Sequence, residues 1–201
     1  MPRSSRVEAA RTRDAIVSEY VADASRIGLD GVTIGALADR LEMSKAGVLG
    51  PFGTKEALQL AALERAGEVF TEVVWGPASA AERGLPRLEA IIDAWLAYLD
   101  GDVFPGGCFL TQAAADWDGR PGAVHDAVVA LSRRWLKVLE REIAAAVEHG
   151  ELEPGTDPAQ VAFELNAIAQ GVNQAIQLRA EADAVERGRA AMLRALQPRG
   201  C

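Results

Sequence analysis

Along almost all of the 201-residue chain, apolar residues recur at intervals of three and four, and no segment alternates as a half-buried strand must. A chain patterned this way buries its apolar surface only by packing helix on helix, so an all-α fold is expected. The first stripe is Ile16, Val17, Tyr20, Val21, Ala24 and Ile27, in a helix over about residues 8–27 that Gly28 closes as a left-handed cap. Asp30-Gly31 supplies a turn, and Thr33 caps a short helix carrying Ile34, Leu37, Ala38 and Leu41. Ser44 caps a third, very short helix that ends near Gly50, because Pro51 cannot continue it. Thr54 caps a fourth, with Glu56 in the first turn complementing the helix dipole.

Farther on, Leu85, Leu88, Ile91, Ile92, Trp95, Leu96 and Leu99 make a clean apolar face that stops at Gly101. Phe104-Pro105-Gly106-Gly107 breaks the chain before a short helix from about Cys108 to Trp117. Residues 123–148 place Val124, Val128, Leu131, Trp135, Val138 and Leu139 on one face, closed by His149-Gly150. Asp157, Pro158 and Gln160 predict a helix start with reciprocal capping, and Asp183 with Glu186 repeats the arrangement before a last helix that Pro198 ends. Nine helices are expected, with no internal repeat.

The formal net charge is −8, yet residues 1–56 hold eight basic and eight acidic residues, so the acidic excess lies entirely downstream. Arg3, Arg6, Arg11 and Arg13 face only Glu8 within the first 13 residues, a local surplus that can lie along phosphate or simply be solvated. No apolar run reaches the length of a bilayer span, and the polar N-terminus lacks a signal-peptide core, so a cytoplasmic location with no membrane partner is expected. Two cysteines, Cys108 and Cys201, make a disulfide framework improbable. His125 and His149 have no companions at ligand spacing, which argues against a metal site, and no cofactor is expected. No glycine-rich phosphate loop or paired-carboxylate motif is present, so catalysis is not expected and Cys108 is the one plausible nucleophile.

Two short helices joined tightly over residues 33–50, the second opening at Ser44-Lys45, have the organisation of a helix-turn-helix, although a plain helical hairpin shares the spacing. A recognition helix presents its N-terminal end to the major groove, where polar caps and small residues let the backbone approach phosphates and base edges. Ser44, Lys45, Ala46 and Gly47 meet that demand, with Thr33 and Lys55 as flanking contacts.

Thr12-Arg13-Asp14-Ala15-Ile16, Gly31-Val32-Thr33-Ile34, Leu37-Ala38, Met43-Ser44-Lys45-Ala46-Gly47 and Phe52-Gly53-Thr54-Lys55-Glu56-Ala57-Leu58 resemble, in order and spacing, the DNA-binding domain of the TetR repressors. The stretches Phe104-Pro105-Gly106-Gly107-Cys108-Phe109 and Asp118-Gly119-Arg120-Pro121-Gly122 resemble the effector domain of one subgroup. The resemblance implies residues 1–54 as a DNA-binding domain and 55–201 as an effector-binding and dimerisation domain. It further implies a homodimeric repressor on a near-palindromic double-stranded operator, released by a small-molecule effector. Leu49-Gly50-Pro51 departs from the family, which has an aromatic residue, a small or polar one and then His or Tyr; neither Leu49 nor Pro51 can donate to a phosphate, so weaker or unusual operator binding is expected. A degenerate regulator, or a helical ligand-binding protein that does not touch DNA, is the alternative.

Phe70, Trp75, Trp95, Tyr98, Phe104, Phe109, Trp117 and Trp135 are the candidate walls of an effector pocket, with Gln112 as a polar group among them. Each taken singly also suits ordinary core packing, but all four tryptophans lie beyond the DNA-binding segment. Asn166, Gln170, Asn173, Gln174 and Gln177 form an amide band on an otherwise apolar helix, which meets either ligand or the partner subunit. Val161, Leu165, Ile168, Val172 and Ile176 are the candidate dimer contacts, on helices packing as a four-helix bundle with their symmetry mates. Cys108 at a helix start could sense redox state or merely fill a small space.

Overall fold

The computed structural model describes residues 3–197, with side chains from Arg6 onward; the side chain of Arg3, the stop at Pro198 and Cys201 lie outside the described residues. The helices are α1 (Arg3–Ile27), α2 (Ile34–Arg40), α3 (Lys45–Leu49), α4 (Lys55–Phe70), α5 (Gly76–Ala78), α6 (Leu85–Asp100), α7 (Phe109–Trp117), α8 (Ala123–Glu148), α9 (Pro158–Arg179) and α10 (Ala184–Ala195). A π-helical stretch, Thr71–Trp75, joins α4 to α5 without a break, so the described residues form the nine continuous helical stretches expected and no strand.

The start and stop signals act as local chemistry dictates. Thr33 Oγ1 accepts from Ala36 N–H at 3.2 Å, Ser44 Oγ from Gly47 N–H at 3.0 Å and Thr54 Oγ1 from Ala57 N–H at 3.0 Å. Gly28 takes φ of 78° at the end of α1. Asp157 accepts from Ala159 and Gln160 N–H, but the Gln160 side chain turns forward to Glu164 Oε1 at 2.7 Å instead of reaching back to the cap. Asp183 makes no capping hydrogen bond, because Arg187 one turn on takes its carboxylate at 2.9 Å. The α1 stripe is buried from Ile16 to Ala24, whereas Ile27 is 58% exposed at the helix end, beside Gly31. The π stretch was not anticipated, since its register shift leaves no mark in a short apolar pattern.

The chain divides into two compact units, one of residues 1–68 and 104–130, the other of residues 69–103 and 131–201. In the first, α7 packs on α1 and α2 on α3. Its buried residues include Ile16, Tyr20, Leu29, Leu37, Val48 and Leu58. In the second, α6 packs against the π stretch, α9 and α10, while α9 packs along α10. α10 comes close at Gly188, where a Cβ would lie 2.3 Å from Val172 Cγ2 and 3.3 Å from Leu96 Cδ2, so glycine lets α10 sit this near to α9 and α6.

Candidate nucleic-acid interface and ligand site

α2 and α3 are joined by Leu41, Glu42 and Met43, with Met43 N–H donating to Ala38 O at 2.9 Å and Glu42 in the left-handed region at φ of 52°. Val48 is the buried anchor of α3, and Ser44, Lys45 and Ala46 stand exposed at its start. Gly47 is half-buried; a Cβ there would lie 3.2 Å from Ser44 Oγ and 3.3 Å from Met43 Cε, so a side chain would press on the cap itself. The Lys45 side chain passes over Gly35, whose missing Cβ leaves room for its Cε. Thr33 is exposed at the start of α2. Five of the six residues expected to meet DNA therefore belong to this one helix pair and its caps.

The sixth, Lys55, is differently engaged. Its ammonium donates to the Asp30 carbonyl at 2.8 Å and lies 3.4 Å from Asp30 Oδ1. Arg40 is likewise held inside the unit, by Glu19 at 3.0 Å and by the buried carboxylate of Asp23. Arg13 stacks over the Phe52 ring, 5.1 Å from its centroid. Beside it, where Gly50 has no side chain and Pro51 only its ring, an open groove of about 650 Å³ runs between Glu8, Ala9, Ala10, Thr12 and Arg13 of α1 and the end of α3. After Pro51 the chain tightens, Phe52 and Gly53 N–H both donating to Leu49 O, which fixes α3 at five residues.

The turn ahead of α2 is tied to residues from much later in the chain within the same unit. Asp30 N–H donates to Asp116 Oδ2 at 3.0 Å, and Arg120 Nη1 donates to Asp30 Oδ2 at 2.8 Å. Those two cations, Arg120 first and Lys55 second, hold the Asp30 carboxyl below its ordinary pKa. Tyr20 donates to the Leu29 carbonyl, which Gln59 Nε2 also reaches at 3.3 Å, and burial pushes the Tyr20 phenol up. Gly106 N–H donates to Ser25 Oγ at 3.0 Å, and a Cβ on Gly106 would fall 2.0 Å from Ser25 O. By sequence the glycines after Pro105 mark a chain break; one of them is a docking point on α1, a role that spacing does not reveal.

The aromatic candidates separate by unit. In the second, Phe70 from α4, Trp95 and Tyr98 from α6 and Trp135 from α8 meet edge to face. Phe70 lies 4.8 Å from Trp135, 5.2 Å from Tyr98 and 6.3 Å from Trp95, and Trp95 lies 5.0 Å from Trp135, centroid to centroid. Trp95 and Tyr98 share a helix face at i, i+3. The indole N–H groups of Trp95 and Trp135 are buried without a hydrogen-bond partner. Trp75 instead stacks under Arg87, 5.6 Å from its centroid. Phe109, Gln112 and Trp117 lie in the first unit, where Phe109 packs 5.9 Å from Phe104 and Trp117 lies under Arg120. Of the amide band, Asn173 is buried, Asn166 half-buried, and Gln170, Gln174 and Gln177 are exposed.

Val161, Leu165 and Val172 are buried inside the protomer, with Ile168 and Ile176 half-buried beside them. The opposite side of α9 carries Phe163, 63% exposed, and Leu178, 78% exposed, with Ala167, Gln170, Gly171 and Gln174 between. Cys108 is buried. Among the described residues, no helix is long and apolar enough to cross a membrane, and no group of three or more His, Cys, Asp and Glu side chains could hold a metal ion.

No curated protein matches the sequence. Among solved structures, a TetR transcriptional regulator from Chloroflexus aurantiacus is similar at a TM-score of 0.86 and 21% identity, over 94% of this chain and 97% of that one. A TetR-family regulator from Agrobacterium tumefaciens is similar at 0.84 and 16% identity, over 94% and 100%. AibR, solved in complex with isovaleryl coenzyme A and operator DNA, is similar at 0.75 and 18% identity, over 94% and 100%. These likenesses establish the fold. Residues 84–192, more than half of the chain, match the family described as "Tetracyclin repressor-like, C-terminal domain", and the chain therefore belongs to the TetR family of transcriptional regulators.

Proposed function

We propose that the protein is a ligand-responsive repressor that binds a near-palindromic operator as a homodimer and is released when a small molecule enters the aromatic site of its second compact unit. The observation that carries this reading is the pair of capped helices α2 and α3, with Ser44, Lys45 and Ala46 exposed around a single buried anchor, Val48. A short α3 gains specificity by being used twice, at half-sites about one helical turn apart. The functional division proposed is 1–54 for DNA and 55–201 for effector and dimer contacts. That AibR was solved with both operator DNA and a ligand supports the pairing of these roles. The stretches Phe104–Cys108 and Asp118–Gly122 support placing the chain in one subgroup of the family.

Operator contact falls to Thr33, Ser44, Lys45, Ala46 and Gly47, with Arg6, Arg11 and Arg13 along phosphate. Lys55 reaches a phosphate only by giving up Asp30, so it contributes less than its position suggests. With Arg40 also paired and Pro51 unable to donate, few cations per protomer are free for the backbone, which favours modest affinity with a shallow salt dependence. A mobility-shift assay with the intergenic DNA beside the protein's own gene, repeated over a salt series, tests the reading. A specific complex with a shallow log–log slope supports it; absence of any specific complex overturns it in favour of a ligand-binding protein that does not touch DNA.

A further inference from the structure

Two indole N–H groups lie inside one ring cluster of the second unit with nothing to donate to. Trp95 is 4% exposed and Trp135 is 8% exposed, their ring centroids are 5.0 Å apart, and neither Nε1 has a hydrogen-bond partner. Buried polar groups are almost always satisfied; Trp117 Nε1 in the first unit is orphaned as well, but here two such donors from different helices share one cluster. An indole N–H can only donate. Whatever completes the site must bring acceptors.

From this we infer that the ligand of the cluster is a neutral carbonyl compound with an aromatic or alicyclic body, its oxygen received by Trp95 Nε1 and Trp135 Nε1. The inference rests on the effector reading above and names the class of ligand. Phe70, Tyr98 and the two indoles supply apolar ring surface for the body. A carboxylate would need a buried counter-charge, and the part-buried Arg87 of α6 is already engaged, by Glu142 at 3.6 Å and the Ala81 carbonyl at 2.9 Å. A second, independent feature marks the same place. Phe70 stands immediately before the π stretch Thr71–Trp75, and single π turns within α-helices occur frequently at functional sites because they re-aim the side chains that flank them.

The test uses the full-length protein and two pairs of probes matched in size, acetophenone with ethylbenzene and benzophenone with diphenylmethane, read by calorimetry and thermal shift. In at least one pair the ketone should bind about five- to tenfold tighter than its hydrocarbon, the worth of a buried hydrogen bond. Replacing Trp135 by 3-benzothienylalanine, an isostere without the N–H, should raise the melting temperature of the unliganded protein and abolish that preference. Equal binding of ketone and hydrocarbon, failure of both ketones to bind, or a lower melting temperature in the isostere would each overturn the assignment, the last by showing that a facing ring already satisfies the N–H. Operator release is scored separately in the same samples: a ketone that binds through the indoles yet leaves the operator complex intact upholds the donor pair and refutes the effector mechanism.

Discussion

At Glu42 the chain turns from α2 into α3 with φ of 52°, a conformation that costs a residue with a Cβ about 1–2 kcal/mol. Glycine there avoids the clash but adds about 0.5–1 kcal/mol of unfolded-state entropy. Glu42→Gly is therefore expected to stabilise the protein by about 0.5–1 kcal/mol, and Glu42→Val to destabilise it, measured by urea unfolding. A strained side chain between α2 and α3 persists because the hydrogen bonds on either side, Leu41 N–H to Leu37 O and Met43 N–H to Ala38 O, fix the turn. Gly106 presents the opposite case. Its Cβ would sit 2.0 Å from the Ser25 carbonyl oxygen, backbone against backbone, so no rotamer change relieves the contact. Gly106→Ala should destabilise by about 3 kcal/mol, while the same change at Gly119, where a Cβ meets nothing, should be near neutral. Similar melting temperatures for the two variants would refute the close docking of this loop on α1.

The helices themselves were legible because their signals are local. The caps at Thr33, Ser44, Thr54 and Asp157 act over two or three residues, within the reach of sequence pattern. What sequence could not show is where a competing partner arrives from another element. By position Lys55 suits a phosphate contact, but the turn ahead of α2 holds Asp30 against it, and Asp30 in turn is clasped by Arg120 from 90 residues on. This tie has a pH signature. The Asp30 carboxyl is held low by Arg120 and Lys55, so its stabilisation is fully present above the ordinary aspartate range and is lost as pH falls through the depressed folded value. Because the carboxylate is half exposed, the effect is modest. Asp30→Asn should lower the melting temperature at neutral pH and converge with the parent at acid pH; a constant difference across that range would rule out the ion pairs as its cause. The same variant removes the carboxylate's hold on Lys55 but leaves its 2.8 Å bond to the Asp30 carbonyl, so the salt dependence of operator binding should change little.

For the proposed homodimer, the decisive question is which side of α9 would meet a second copy. Sequence alone favoured the more apolar stripe, Val161, Leu165, Ile168, Val172 and Ile176, but a helix in a dimer has two apolar duties and hydrophobicity does not say which stripe serves which. Burial divides them: the first stripe is turned into the protomer, with Val172 against Gly188 of α10, and Phe163, Ala167, Gln170, Gly171, Gln174 and Leu178 face outward on the other side. Phe163 and Leu178 are two large apolar side chains left in solvent, and Ala167 and Gly171 between them leave room for a second helix to approach. A dimer formed through this face would let the exposed amides Gln170 and Gln174 hydrogen-bond across the axis, which would assign that part of the band to the partner. The double variant Phe163→Glu, Leu178→Glu places like charges where the copies meet. It should be monomeric by light scattering at micromolar concentration, keep its helical circular dichroism and lose operator affinity by more than tenfold, since two half-sites no longer act together. Val161→Glu should instead unfold the protomer, because an unpaired charge would be buried in its core. A dimeric double variant, or a folded monomer from Val161→Glu, would return the interface to the inner stripe and undo this assignment of faces.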